Sequence, residues 1–377
     1  MVVTRRVEGT ELKKILIIAP DLSVKGGVSS VVQSLMTEME RRGNRVKLYS
    51  TYVDTIHPLL RVIYSLFRIF SFVVRLQPFK YDVFYLHACA FGSFYRKFFY
   101  VMLLSLFRKP VILHQHAADL EIFLNKNKFN KRLGQWVFGA SSKIFVLSEN
   151  MRAITKEVTD NENIIIIENP IRIPEFARSD DAQPQEKVKF VFLGEIGKRK
   201  GIYDLIQALS RLTDEQRSSI HLDIGGNKEL DTLTSMIRQY GLENTCTVHG
   251  WVDGDKKQRL LKEASVFVLP SYFEGVPIAI LEAMSYELPV ISTNVAGIPE
   301  IVLHQYNGLI IEPGDIECLK TSMLYFAENL ERTKQFGHNS RLIVEKHDVP
   351  VVVDKILNLF ENDTRNRKWR KEKVMKA

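Results

Sequence analysis

Val266-Phe267-Val268-Leu269-Pro270-Ser271-Tyr272-Phe273-Glu274-Gly275-Val276-Pro277-Ile278-Ala279-Ile280-Leu281-Glu282-Ala283-Met284 is the stretch from which the fold can be read. The apolar run that ends at Pro270 reads as a buried strand of the kind found in parallel sheets. A short polar loop follows. A helix then begins near Pro277, which suits a first helical position because its missing N–H has no partner there. Glu274 falls in the loop at the mouth of this helix, and Glu282 about a turn and a half inside it. The first N–H groups and the positive end of the helix face that mouth, which makes it an anion site. A carboxylate beside an anion is unfavourable, so Glu274 is expected to meet hydroxyls rather than a phosphate.

The same strand–loop–helix order recurs on both sides of this stretch. Strands are expected at 188–193, 221–224, 245–249, 289–293 and 308–311, with helices at 202–212, 230–240 and 256–263. Upstream, strand-like runs occur at 14–20, 46–52, 83–87, 111–114, 143–147 and 164–167. Strands alternating with helices predict doubly wound parallel sheets. Between Asn169 and Lys187 the alternation lapses into a polar segment holding Pro170, Pro174, Pro184 and Asp180-Asp181, which reads as a linker. The expectation is two α/β domains. After Pro350 a helical spacing resumes over 351–362 and gives way to a basic run at 364–371, either a solvated end or a membrane-facing one.

The 377 residues suit two cores, and 45% hydrophobic with 25% charged residues is a globular composition. Cys89, Cys246 and Cys318 are too few and scattered for a disulfide framework or a metal-ligand pattern, so a reducing compartment is expected. The opening residues lack the zones of a signal peptide, and a cytoplasmic location is the expectation. A net charge of +8 implies an anionic partner without saying which. Two aromatic stretches studded with Arg and Lys, 58–76 and 91–109, are too interrupted to cross a bilayer. They read as buried helices with cationic ends, as a surface that beds into an anionic membrane, or as both, one face packed and the other presented.

Two glycine-bearing loops follow the first strand of each domain. Gly26-Gly27 lacks the G-x-G-x-x-G pattern, which speaks against a nicotinamide dinucleotide; it is either a plain turn or a close approach to an anion. The second, Gly194-Glu195-Ile196-Gly197-Lys198-Arg199-Lys200-Gly201, places three cations at a strand-to-helix turn, where they suit a diphosphate. Asp253-Gly254-Asp255 has an Asp-x-Asp form, but without a third ligand in reach it reads as a capped turn, and no metal is expected.

The Gly-x-Ile-x-x-x-Lys-Gly of 194–201, the pair Glu274 and Glu282, Pro289-Val290-Ile291 and Gly297-Ile298-Pro299-Glu300 together resemble glycosyltransferase family 4. Asn169-Pro170 and Gly26-Gly27 fit the same layout. The resemblance implies an α/β GT-B fold, two Rossmann-like domains facing each other across a deep cleft. Residues 1–178 would be the acceptor-binding domain and 187–345 the nucleotide-sugar-binding domain, with 346–377 a helix crossing back to the first domain and a basic tail. It also implies a retaining, metal-independent transfer of a sugar from a UDP- or GDP-linked donor to a saccharide hydroxyl, with no cofactor. Glu274, His116 and Lys200 would be the catalytic residues. Gly194, Arg199, Lys200, Gly275, Val276, Pro277, Ile278 and Glu282 would bind the donor, with Glu274 on the sugar hydroxyls, Lys200 on the diphosphate and Glu282 on the ribose. Gly26, Gly27 and His116 would serve the acceptor, while His114 would support from within its strand.

Three positions depart from the family pattern. Glu195 stands where an Arg is usual, and Arg199 is expected to take over while Glu195 turns away. Glu287 stands where a glycine usually follows the central helix, which implies a local change in how that helix ends. Ala117 replaces the glycine common after the histidine.

The basic aromatic stretches add a lipid-linked acceptor at the inner membrane face and a role in surface polysaccharide synthesis. A sugar-nucleotide epimerase of the same architecture is the first alternative. A non-catalytic binder of membrane or nucleic acid is the second, although no nucleic-acid motif stands out. An acid/base pairing of Glu274 with Glu282 is disfavoured, because eight residues along a helix put them about 80° apart in azimuth.

Overall fold

The computed structural model describes residues 12–24, 26–54, 57–75, 77–175 and 187–360. The basic run at 364–371 and the linker segment 176–186 lie outside them. Two compact units are formed, one by Met1–Ile171 with His347–Ala377 and the other by Arg172–Lys346.

The first unit holds strands β1 (Lys14–Ala19), β2 (Arg45–Ser50), β3 (Val83–Ala88), β4 (Val111–Gln115), β5 (Lys143–Val146) and β6 (Ile164–Ile166). They lie in the order β2-β1-β3-β4-β5-β6, and each neighbouring pair is parallel. Every residue of β3 and β4 is buried, as is β1 after Lys14, because helices cover both faces of a parallel sheet. The second unit repeats the plan with β7 (Val188–Leu193), β8 (Ile220–Gly225), β9 (Cys246–Gly250), β10 (Val266–Leu269), β11 (Val290–Thr293) and β12 (Gly308–Ile311). Its order is β12-β11-β10-β7-β8-β9. Each of the twelve strands coincides with an apolar run expected from the sequence.

The chain leaves the first unit after Ile171 and returns at His347. The amide of Ile171 donates to the carbonyl of His347 (2.9 Å), and that of Val349 donates back to Ile171 (3.0 Å). A helix over 349–360 then packs onto the first sheet, burying Val352, Val353, Ile356 and Phe360. The Phe360 ring meets Tyr85 edge-on at 5.5 Å, and Lys143 Nζ donates to the Leu359 carbonyl at 2.9 Å.

The two aromatic stretches form helices Pro58–Val74 and Gly92–Leu106. Each helix packs one face and exposes another. Phe72, Phe94, Tyr100, Val101 and Leu104 are buried, while Ile63, Phe67, Phe70 and Val74, three or four residues apart, share an exposed face. Two of the arginines turn inward: Arg68 stacks over the Tyr49 ring at 3.9 Å and donates to the Ser50 carbonyl at 2.7 Å, and Arg61 donates to the Tyr52 hydroxyl at 3.0 Å. The outer face of the helix is therefore apolar and partly aromatic rather than basic. No helix among the described residues is long and apolar enough to cross a membrane.

Two local expectations need correction. The central helix runs Ile278–Ser285, and Pro277, with an extended ψ of 123°, is its N-cap rather than its first residue. At the other end Glu287 does not change how the helix ends. It takes the left-handed conformation itself (φ 58°), and Leu288 N–H closes on the Ala283 carbonyl at 3.2 Å. Glutamate thus adopts the glycine geometry at a cost of about 1–2 kcal/mol.

Candidate active site

In the second unit the chain runs from β7 to β8 and β9 on one side, then crosses to β10, β11 and β12 on the other. The crossover leaves a crevice beyond the carboxyl ends of β7 and β10, which is where open α/β sheets bind ligands. The loops that meet there are 194–201 and 270–277, the two singled out in the sequence. The amide of Tyr272 donates to the Arg199 carbonyl at 2.9 Å, so the loops are laced together through their backbones. Gly201 makes the approach possible. Its φ is +71°, and a Cβ there would stand 1.9 Å from the carbonyl oxygen of Pro270. On the other flank Thr293 Oγ1 donates to the Ser271 carbonyl (2.6 Å) and the Gly297 amide to that of Gly275 (3.1 Å).

This lacing brings Lys200 to Glu274. The ammonium donates to Glu274 Oε1, which also accepts from Ser271 Oγ at 2.9 Å. Glu274 is only 6% exposed. A carboxylate so deeply set needs these partners, and they fix its direction as well as its charge. Pro277 and Ile278 stand at the helix mouth beside it, preceded by Gly275 and Val276. Glu282 is separate: its Oε1 pairs with Lys257 Nζ at 2.5 Å. Glu274 and Glu282 thus have different partners. Gly194 closes β7, its amide donating to the Gly225 carbonyl at 3.0 Å.

Glu195 is held by Lys228 at 2.8 Å and lies 3.9 Å from Arg199, whose Nη1 reaches the Phe273 carbonyl at 3.5 Å. Lys228 escaped the sequence reading, yet the signal was present. Gly225-Gly226-Asn227-Lys228 follows β8 as a third glycine loop, and a Cβ on Gly226 would stand 2.1 Å from the Gly194 carbonyl oxygen. Lys228 itself has a φ of +84°. Asp253 is the N-cap residue of helix Gly254–Glu263, and its carboxylate accepts from Trp251 Nε1 at 3.0 Å.

In the first unit the crossover lies between β1 and β3. Gly26 is the N-cap residue and Gly27 the first residue of helix Gly27–Arg41, which follows β1. Next to the crossover, β3 and β4 pair so that His87 is opposite His114, with His116 just beyond the end of β4. His87 Nδ1 lies 2.9 Å from His116 Nε2, and Tyr85 Oη 2.6 Å from His114 Nδ1. The three imidazoles bring one nitrogen each within 4.8 Å of the others. The protein around His116, which is still partly open to solvent, lowers it from its ordinary value and favours the uncharged ring. Burial also lowers His87 well below its ordinary value, helped by His116 and by the ammonium of Lys97. No carboxylate is bonded to any of the three among the described residues, so the group is a neutral, hydrogen-bonded one. Lys97 is 1% exposed, donates to Thr51 Oγ1 at 2.7 Å, and is pushed down to about 7 by burial and then by Arg96. His87 and Lys97 were not found from sequence, because only the pairing of β3 with β4 and the packing of helix Gly92–Leu106 bring them to this place.

Known proteins are similar to this chain in sequence or in fold. An uncharacterized glycosyltransferase of Methanocaldococcus jannaschii is 35% identical over 139 residues, 37% of this chain and 35% of that protein. An uncharacterized 41.2 kDa protein in the cps region of Klebsiella pneumoniae is 23% identical over 342 residues, 84% of this chain and 93% of its own. The putative colanic acid biosynthesis glycosyltransferase WcaL of Escherichia coli is 24% identical over 258 residues, 67% of this chain and 63% of that one. Among solved structures, sucrose-phosphate synthase of Thermosynechococcus elongatus superposes with a TM-score of 0.81 at 16% identity, covering 94% of this chain and all of that one. Anabaena HepE in complex with UDP gives 0.74 at 17% identity, covering 93% and 100%. The family model for glycosyltransferase family 4 matches residues 25–173, and that for glycosyl transferases group 1 matches 174–343. With the two models together matching residues 25–343 and each unit built as a Rossmann-like parallel sheet, the chain belongs to glycosyltransferase family 4 and has the GT-B fold.

Proposed function

We propose that the protein moves a sugar from a UDP- or GDP-linked donor to a hydroxyl of a saccharide acceptor, with retention at the anomeric carbon and without a metal. The observation that carries this reading is the Lys200–Glu274 pair at the crossover of the second sheet, beside the mouth of helix Ile278–Ser285. Lys200, Arg199 and the helix N–H groups supply the positive charge that a departing diphosphate needs. Glu274 offers acceptor oxygens for the sugar hydroxyls. Glu282, about a turn and a half further in, is left for the ribose. Gly26, Gly27 and His116 serve the acceptor, as the family resemblance implies. HepE, with a matching fold, has been seen with UDP and with UDP-glucose, which supports a nucleotide-sugar donor.

With retention proposed and no nucleophile assigned in the site, attack is placed on the face the phosphate leaves. The acceptor oxygen bonds to the anomeric carbon, the bond from that carbon to the phosphate oxygen breaks, and the acceptor proton passes to the released phosphate. A panel of nucleoside diphosphate sugars, offered with and without a lipid-linked saccharide in the presence of EDTA, tests the reading. We expect turnover with the acceptor and an NMR anomer signal matching that of the donor. Inversion, or dependence on added metal, overturns it. Release of free nucleotide and an altered sugar without acceptor would establish the epimerase alternative instead.

The acceptor is proposed to be lipid-linked, in surface polysaccharide synthesis at the inner face of the membrane. WcaL, a relative, carries the name of a colanic acid biosynthesis enzyme. The physical support is the exposed apolar face of Pro58–Val74, where Phe67 is 58% and Phe70 is 68% exposed. Arg75, Lys80 and Arg108 are exposed as well, and would meet anionic headgroups. Burying a Phe contributes about 1.5–3 kcal/mol. Replacing Phe67 and Phe70 together by serine is thus expected to weaken vesicle binding by roughly 100-fold or more in a flotation assay. Because Arg61 and Arg68 face inward, much of the binding should survive physiological salt. Failure of the wild-type chain to float with anionic vesicles at that salt removes the membrane role.

A further inference from the structure

His87 fixes what its neighbour can do. Two neutral imidazoles joined by one hydrogen bond have two arrangements, and the second nitrogen of His87 distinguishes them. His87 Nδ1 and His116 Nε2 are 2.9 Å apart, while His87 Nε2 is buried and has no hydrogen-bond partner. If His116 Nε2–H donated, His87 would have to carry its own proton on Nε2, leaving a buried N–H unmatched. If His87 Nδ1–H donates, Nε2 keeps only a lone pair. Orphaned buried N–H groups are the rarer and costlier case. With its Nε2 accepting, a neutral His116 must carry its proton on Nδ1.

We propose that His87 is a positioning residue that holds His116 as the Nδ1–H tautomer, so that His116 meets the reacting groups as a hydrogen-bond donor and not as a base. His116 is partly exposed at the end of β4, with Nε2 committed to His87, and Nδ1 is the nitrogen left for a ligand. Phe145 and Tyr85 pack around His114, whose Nδ1 is taken by Tyr85, so His114 does not compete for His116 Nε2 through that atom. This assignment rests on the proposed reaction for what His116 touches. It then explains why the acceptor proton is routed to the phosphate: a ring that already holds its only proton toward the ligand, and accepts from His87 on the other side, has no site left to take one.

The test reads the rings directly and needs no substrate. The full chain is labelled with ¹⁵N-histidine, and long-range ¹H–¹⁵N spectra are recorded at neutral pH, with His87→Asn, His87→Leu and His116→Gln used to assign signals. The expected result is a single neutral form with the proton on Nδ1 in both His87 and His116, the reverse of the tautomer that free histidine prefers in water. A proton on Nε2 of His116, or a charged ring, overturns the proposal. In His87→Leu, His116 should lose its fixed tautomer and transfer should fall at least 10-fold. His87→Asn, whose amide N–H can stand in for Nδ1–H, should recover most of both. An unchanged His116 spectrum in His87→Leu refutes the positioning role. If the protein turns over no sugar at all, the tautomer result still stands, so failure of this proposal and failure of the proposed function are distinguishable.

Discussion

Alanine at Lys200 is expected to slow sugar transfer by about 10²–10³-fold, the usual loss when one preorganised charge-stabilising donor is removed. Alanine at Glu274 should do the same by freeing the sugar hydroxyls and letting Lys200 swing from its place. The two side chains are bonded to each other, so their effects should overlap. The double variant is expected to be little slower than either single one, as for residues acting as a unit. Breaking a buried pair also leaves one charge uncompensated, at a cost of up to about 3–5 kcal/mol. Glu274→Gln separates the two effects, since it keeps an acceptor for Ser271 and removes the charge. Initial rates with saturating acceptor, alongside thermal melts, check all four variants. Near-normal rates in both alanine variants would remove the crevice between β7 and β10 from the reaction.

Gly201→Ala should have the largest effect on stability of any single methyl addition in the two loops. The left-handed φ of +71° costs a β-carbon about 1–2 kcal/mol on its own. The added atom would also sit 1.9 Å from the Pro270 carbonyl oxygen, backbone that cannot rotate away as a side chain can. Together these predict a loss of about 3 kcal/mol or more and a displaced 270–277 loop. The urea midpoint should fall with little change in slope. Gly254→Ala is the matched control: its φ is +48°, but nothing lies within 4 Å of the new carbon, so only the conformational cost remains. Equal destabilisation in the two variants would show that the close approach at Gly201 is not what holds the loops.

The strands were legible because each is a short apolar run set between polar turns, and burial on both faces of a parallel sheet demands such runs. The loops at 194–201 and 270–277 were legible because glycines, a proline and clustered cations mark strand-to-helix turns. Glu287 shows where reading from local pattern fails. A missing glycine implied a changed helix end, yet the packing of the turn holds glutamate at φ 58° and keeps the end intact. Arg61 and Arg68 show it again. Their place in an aromatic helix was compatible with either face, and bonds to Tyr52 and the Ser50 carbonyl decided for the inner one.

By itself the sequence determined the order of strands and helices, the two-unit plan and the loops from which a donor site can be built, since all of these follow from local periodicity and turn chemistry. Only the tertiary structure decided which side chains meet. Lys200 reaches Glu274 across 74 residues, and His87 reaches His116 across 29. Both contacts are set by which strands lie side by side and in what register, and register is a property of paired backbones that no single stretch of chain contains.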